Sequence, residues 1–218
     1  MTVIINKQAP ELLVATWVQG RPVTFADLTG KVVLVEVFQL NCPGCFLQGL
    51  PEAIRLHDRY VDQGLVVLGL ATAFEDYDKN TLENLKALVE SGTVIGESLK
   101  MLDQHGELVD GKFRWKIPFP VGMDEVTVND EPVTEEKIQE YAERLHPDLS
   151  QRRAEEQGYI LKMVEQYLRQ KTMTAQTFEL YGLKGTPSSI LVDREGILRD
   201  VSFGPQADLE QLIQKYLA

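Results

Sequence analysis

Both cysteines of the chain lie in FQLNCPGC, residues 38–45, with only Pro43 and Gly44 between them. Thiols at this spacing can close a disulfide within one helical turn, contribute half of a metal site, or be accidental neighbours. Their setting separates these readings. The run KVVLVEVFQL (31–40) is almost continuously apolar and β-branched, as expected of a strand buried on both faces. After it, Phe46, Leu50, Ala53, Ile54, His57 and Val61 recur at three- and four-residue spacing, a helical pattern. Cys42 therefore opens a helix, where unpaired N–H groups and the helix dipole favour a thiolate. Pro43 takes the first helical position, where its missing N–H costs little. Cys45 falls one turn further in, able to bridge to Cys42 but shielded from solvent. The first sulfur attacks and the second resolves.

A structural zinc site needs four ligands, and beyond the pair the chain offers only His57, His105 and His146, none spaced as a second half-site. The expectation is no metal and no cofactor beyond a redox-active disulfide. Glu36 interrupts the valine run six residues before Cys42, which predicts a buried carboxyl with a raised pKa. Such an acid beneath the pair is placed to take the proton of Cys45. Thr186–Pro187 enters a second buried run, SSILVD, where proline cannot donate to a ladder. A cis peptide there would leave a backbone edge beside the thiols for a substrate chain.

The elements that must position these groups follow from the pattern. Residues 9–30 read as a short hairpin and turn, and LVVLGLA (65–71) as a second buried strand. With the intervening helix, kinked at Pro51, the two buried strands make a parallel βαβ unit. Residues 81–104 read as helical, capped by Thr81 and broken near Ser91–Gly92, and KIPFPVGMD (116–124) as an extended segment. Helices follow over 133–147, capped by Thr134 with Val133 stapled to Ile138, and over 149–171. The apolar stripe Ile160, Met163, Val164, Tyr167 and Leu168 of the latter is expected to pack on the parent domain. The chain then closes with a helix ending at Gly182, two strands joined by a turn at Arg194–Glu195–Gly196, and an amphipathic terminal helix.

Length suits a single domain, 1–218, carrying a helical insertion at 126–173. A net charge of -11 argues against a nucleic-acid partner. No apolar run is long enough to cross a membrane, and the first residues lack the pattern of a signal peptide. With Met1 as the native start, the expected location is cytoplasmic, where the thiols would be kept reduced between reactions.

Together these segments resemble the thioredoxin superfamily, and within it the TlpA/ResA-like branch grouped with alkyl hydroperoxide reductase-type domains. APELLVATWVQGRPVTFADLTGKVVLVEVF is similar to that branch's N-terminal hairpin and first core strand, CPGC to its CxxC site, and YGLKGTPSSILVDREGILRD to its cis-proline segment. The resemblance implies an α/β thioredoxin-like fold, a central mixed sheet flanked by helices with an N-terminal hairpin. It implies attack by Cys42, resolution by Cys45, assistance from Glu36 and substrate docking at Pro187. The substrate-binding set is Asn41, Pro43, Gly44, Thr186 and Pro187. Asn41 stands where the family's usual tryptophan precedes the first cysteine, and segments 93–115 and 126–173 are inserted relative to a minimal thioredoxin.

The implied activity is thiol–disulfide exchange; CPGC leaves its direction open, and the expected cytoplasmic address favours reduction. Its partners would be a disulfide-bearing protein or small-molecule disulfide and an upstream dithiol reductant. The inserted helices are candidates to cover the site, widen a peptide groove or form a homodimer. Two other functions stay open at this point: a thioredoxin-like binding protein with the thiols as a redox sensor, and a thiol peroxidase using Cys42. Against the peroxidase, Val35 and Gln39 occupy the proline and threonine positions of the peroxide-binding PxxxTxxC pattern.

Overall fold

Apolar burial decides which strand becomes the centre of the sheet. A computed structural model describes residues 3–130 and 132–218. Its first strands are β1 (Val14–Gln19) and β2 (Val32–Phe38), and all seven residues of β2 are buried. The chain turns helical at Pro43 and passes through a wide π turn at Cys45–Gly49. It continues as α1 (Leu50–Tyr60) and returns as β3 (Leu65–Ala71), parallel to β2 over its whole length. Helices α2 (Leu82–Ser91) and α3 (Gly96–Gln104) follow, separated at Gly92, whose φ of 70° suits a residue without Cβ. The short pair β4 (Leu108–Val109) and β5 (Lys112–Phe113) leads to β6 (Val121–Asp124).

Beyond β6 come β7 (Val126–Val128), α4 (Glu135–Leu145), α5 (Ala154–Gln170) and β8 (Met173–Ala175). The chain ends with α6 (Gln176–Leu180), β9 (Ser188–Val192), β10 (Leu198–Phe203) and α7 (Leu209–Leu217). The main sheet runs β1-β6-β3-β2-β9-β10, with β2, β3 and β6 parallel and the other pairings antiparallel. Alternation along β2 sends Val32, Leu34 and Phe38 into one core, with Leu50 and Ala53 of α1 and Ile213 of α7. Val33, Val35 and Val37 enter the opposite core, with Phe178 of α6. Glu36 shares its face with Leu34 and Phe38, so it points towards α1.

Two expectations are corrected here. Residues 9–30 hold one strand and no hairpin, because β1 finds its partner in β6, about a hundred residues on. The stripe on α5 is satisfied locally. Val164 and Leu168 join Ala142 and Leu149 in a small core with Val133, Ile138 and Tyr167 around it, while Met163 is exposed. The chain divides into two compact units, the residues up to Val126 with Ala175–Ala218, and Thr127–Thr174. Thr134 caps α4 by accepting from the Lys137 N–H.

One buried carboxylate fixes the approach to the second half of the sheet. Asp124, at the end of β6, accepts from the Thr72 hydroxyl at 2.8 Å and from the amides of Thr177 and Phe178 at 2.9 and 3.2 Å. Burial raises its pKa while these donors pull it down, and they hold the start of α6. Replacing Asp124 with alanine strands two buried amides, and a loss of about 3 kcal/mol in urea denaturation is expected.

Candidate functional site

The end of β2 and the start of the helix set the two sulfurs unequally. Cys42 and Cys45 are joined by a disulfide, with their Cα atoms 5.4 Å apart. Cys42 is partly exposed, whereas Cys45 is 0% exposed. The Cys45 N–H points at the Cys42 sulfur, 3.2 Å away, so the first turn of the helix places a backbone dipole on the outer sulfur. Pro51 cannot donate to the carbonyl one turn before it. The π turn at Cys45–Gly49 lies immediately before that position and widens the helix there.

Thr186–Pro187 is a cis peptide, and it faces the pair. The Thr186 carbonyl oxygen lies 3.4 Å from Cys42 Sγ. A Cβ on Gly44 would stand 3.6 Å from the Pro187 ring, so the CPGC turn and the proline are in near contact. The Thr186 hydroxyl donates to Gln39 Oε1 at 3.3 Å, and Gln39 Nε2 donates to the Glu75 carbonyl at 3.3 Å. Gly204 N–H donates to the Pro187 carbonyl at 2.8 Å, tying the loop to the end of β10.

Glu36, on β2 six residues before Cys42, is only 5% exposed. Burial raises its pKa well above the ordinary carboxyl value, and the charge of Glu52 adds to the rise. Gly49 makes room for it. A Cβ at position 49 would overlap Glu36 Oε1 and come within 2.7 Å of Pro187 Cβ, so this glycine lets carboxyl, proline and helix meet. Among the described residues no group of three or more His, Cys, Asp or Glu is placed to hold a metal ion.

Asn41 has work of its own. Its Oδ1 accepts from the Glu97 amide at 2.7 Å, capping α3 from a distant segment, and its Nδ2 donates to Asp76 at 2.6 Å. The amides of Leu40 and Asn41 both donate to Asn80 Oδ1, and the Ser98 hydroxyl donates to the Leu40 carbonyl. The structure thus brings together all eight sequence-selected residues, but the side chain of Asn41 is committed to holding the loop before Cys42. Sequence reasoning missed Gln39, Gly49 and Asn80. A glycine one turn after Cys45, within a helical pattern, was the one available signal among them.

Gly49→Ala tests the packing directly. Helix propensity alone would make it stabilising by about 1 kcal/mol. The overlap with Glu36 and Pro187 reverses that expectation. Unfolding of the oxidised protein should begin at lower denaturant, and exchange with a small model disulfide should slow by about a hundredfold, as for a misplacement near 1 Å.

Among solved structures, a thiol-disulfide isomerase from Corynebacterium glutamicum is 29% identical, with 98% of this chain and 97% of that one covered and a TM-score of 0.58. A thioredoxin-like superfamily protein is 27% identical over 97% of each chain, at a TM-score of 0.59. The thioredoxin domain of a thiol-disulfide oxidoreductase from Bacteroides vulgatus, 16% identical with all of both chains covered and a TM-score of 0.51, shares the fold. No family model and no curated protein matches the chain. The sheet order and the full-length likenesses place the chain in the thioredoxin superfamily, and its Cys42–Cys45 pair makes it a thiol–disulfide oxidoreductase.

Proposed function

We propose that this protein reduces disulfides in other proteins, with Cys42 attacking, Cys45 resolving and Glu36 taking the proton of Cys45. The observation that carries this reading is the inequality of the two sulfurs. Cys42 is reachable and receives an amide dipole, and Cys45 is sealed off in the apolar core. The Cys42 thiolate attacks one sulfur of the substrate, whose S–S bond breaks as the mixed disulfide forms. The departing thiolate takes a proton from solvent. Cys45 then gives its proton to the Glu36 carboxylate and attacks Cys42 Sγ, releasing the second substrate sulfur as a thiolate that takes a proton from solvent. Two electrons have passed to the substrate, and an upstream dithiol restores the pair.

The raised pKa of Glu36 suits this role, since a buried carboxylate is a stronger base than an exposed one. The Thr186 carbonyl beside Cys42 and the turn formed by Pro43 and Gly44 offer an extended substrate segment a docking edge, with Pro187 as its floor. Asn41 borders this edge and shapes it through the loop it holds. The matched segments support a place in the TlpA/ResA-like branch. The proposed reductive direction goes with a cytoplasmic setting as part of the same reading, in which the resting pair would be kept reduced.

Insulin reduction with a dithiol donor checks the activity. Cys42→Ser should abolish it. Cys45→Ser should stop after one step and accumulate the substrate as a mixed disulfide, visible by mass spectrometry. No turnover by the parent with any dithiol would end the claim.

Glu36 also leaves a signature in stability. Its folded pKa is raised, so the folded protein retains a proton that the unfolded chain releases above the ordinary carboxyl range. The stabilisation is complete below the unfolded carboxyl pKa and is lost as pH rises towards the folded value. The loss runs at up to about 1.4 kcal/mol per pH unit. In the oxidised form, where the cysteines do not titrate, Glu36→Gln should remove this slope and become the more stable protein at high pH. Parallel curves for parent and variant would contradict a buried, protonatable Glu36.

A further inference from the structure

One oxygen of Glu36, Oε1, has no hydrogen-bond partner among the described residues, although the side chain is almost wholly buried. Glu36 lines a cavity of about 20 Å³ together with Gly49, Glu52, Pro187, Ser189 and Gln206. That volume accommodates a single water, and the lining supplies polar partners for it.

The strand register extends this polar lining across the sheet. Glu36 on β2 stands opposite Ser189 on β9, and Ser189 stands opposite Ser202 on the edge strand β10. Directly opposed side chains share one face of a sheet and lie within reach of each other. The two serine hydroxyls are 2.7 Å apart, and the Ser202 hydroxyl donates to Gln206 Oε1 at 2.7 Å. With that bond made, the hydroxyl of Ser189 donates to Ser202, and its oxygen is left to accept from the cavity side. Asp200, two residues before Ser202, keeps Oδ2 buried without a partner among the described residues. A carboxyl and two hydroxyls therefore occupy facing positions on three adjacent strands, where Leu34 and Leu191, two residues further along the same face, belong to the apolar core.

We propose that Glu36, one cavity water, Ser189 and Ser202 form a proton path from beneath Cys45 to solvent at the β10 edge. This rests on the assignment of Glu36 as acceptor of the Cys45 proton. After the resolving step the carboxyl of Glu36 holds that proton. It passes it to the water, and each hydroxyl accepts one proton and releases its own towards Asp200 and the solvent beside Gln206. No bond other than O–H is made or broken, and Glu36 returns to the carboxylate for the next turnover. The charged groups facing the path are Glu52 from α1 and Asp200 from β10, with Asp208 acting on Asp200. All are acidic, so they favour a proton moving along it.

The path is tested on the resolving step alone. A mixed disulfide between Cys42 and a chromogenic thiol is formed on the intact protein, and release of the thiol is followed by stopped flow against pH, in H₂O and D₂O. Ser189→Ala/Ser202→Ala should slow release by about tenfold, the low end of what a positioned proton acceptor contributes. It should also enlarge the solvent isotope effect, while attack by Cys42 on free disulfide keeps the parent rate. Ser202→Ala alone, at a half-buried position, carries the same expectation should the double variant fail to fold. Ser202→Thr, which keeps a hydroxyl, should recover most of the rate. Release at the parent rate with an unchanged pH profile and isotope effect overturns the path. If Glu36→Gln still slows release in that case, the role of Glu36 survives and only the route is wrong. If Glu36→Gln has no effect either, the assignment on which the path rests falls with it.

Discussion

The arrangement turns on a carboxyl group kept in a place where carboxylates are costly. Every neighbour of Glu36 along β2 is an apolar core residue, and the helix above it lacks a side chain at Gly49 where the carboxyl lies. Removing a carboxylate from water without a partner costs several kcal/mol, so the group relaxes towards its neutral form and its pKa rises. Gly49, Pro187 and the water-sized cavity all border this one group. A larger residue at 49 would overlap both the carboxyl and the Pro187 ring.

The loop carrying Cys42 is held by hydrogen bonds. Asn41 reaches both Asp76 and the first turn of α3, Asn80 gathers two consecutive amides, and Gln39 ties the end of β2 to Thr186. An aromatic residue at position 41 would have no side-chain acceptor for the Glu97 amide. It could also not enter the gap beside Gly96, whose missing Cβ admits the amide of Asn41. The segment around α3 thereby acquires a direct connection to the residue before Cys42.

Much of this was legible in the sequence because it depends on local periodicity. The nearly continuous β-branched run marked β2, the interruption of its valines marked Glu36 as a buried carboxyl, and the switch to helical spacing located Cys42 at a helix start. Partnership was less legible. Nothing local in VATWVQ says that β1 will pair with β6, and nothing in the α5 stripe distinguishes α4 from any other apolar surface. The same holds for Ser189 and Ser202. Each reads alone as an ordinary polar residue in a strand, and only the register of β2, β9 and β10 aligns them with Glu36.

The two sulfurs acquire opposite characters from environments less than one helical turn apart. At Cys42 the amide of Cys45 and the open side of the turn favour negative charge, so the outer sulfur is ready to attack. At Cys45 the surroundings are apolar, and in the proposed mechanism Glu36 is its proton acceptor. A thiolate formed there would be desolvated and would face a carboxylate unless that carboxylate had taken the proton. In the proposed mechanism, deprotonation of Cys45 is therefore tied to protonation of Glu36. On that mechanism the inner thiol stays inert until the mixed disulfide presents it with a sulfur to attack. Division of labour within CPGC follows from burial and one acid, with no difference between the cysteines themselves.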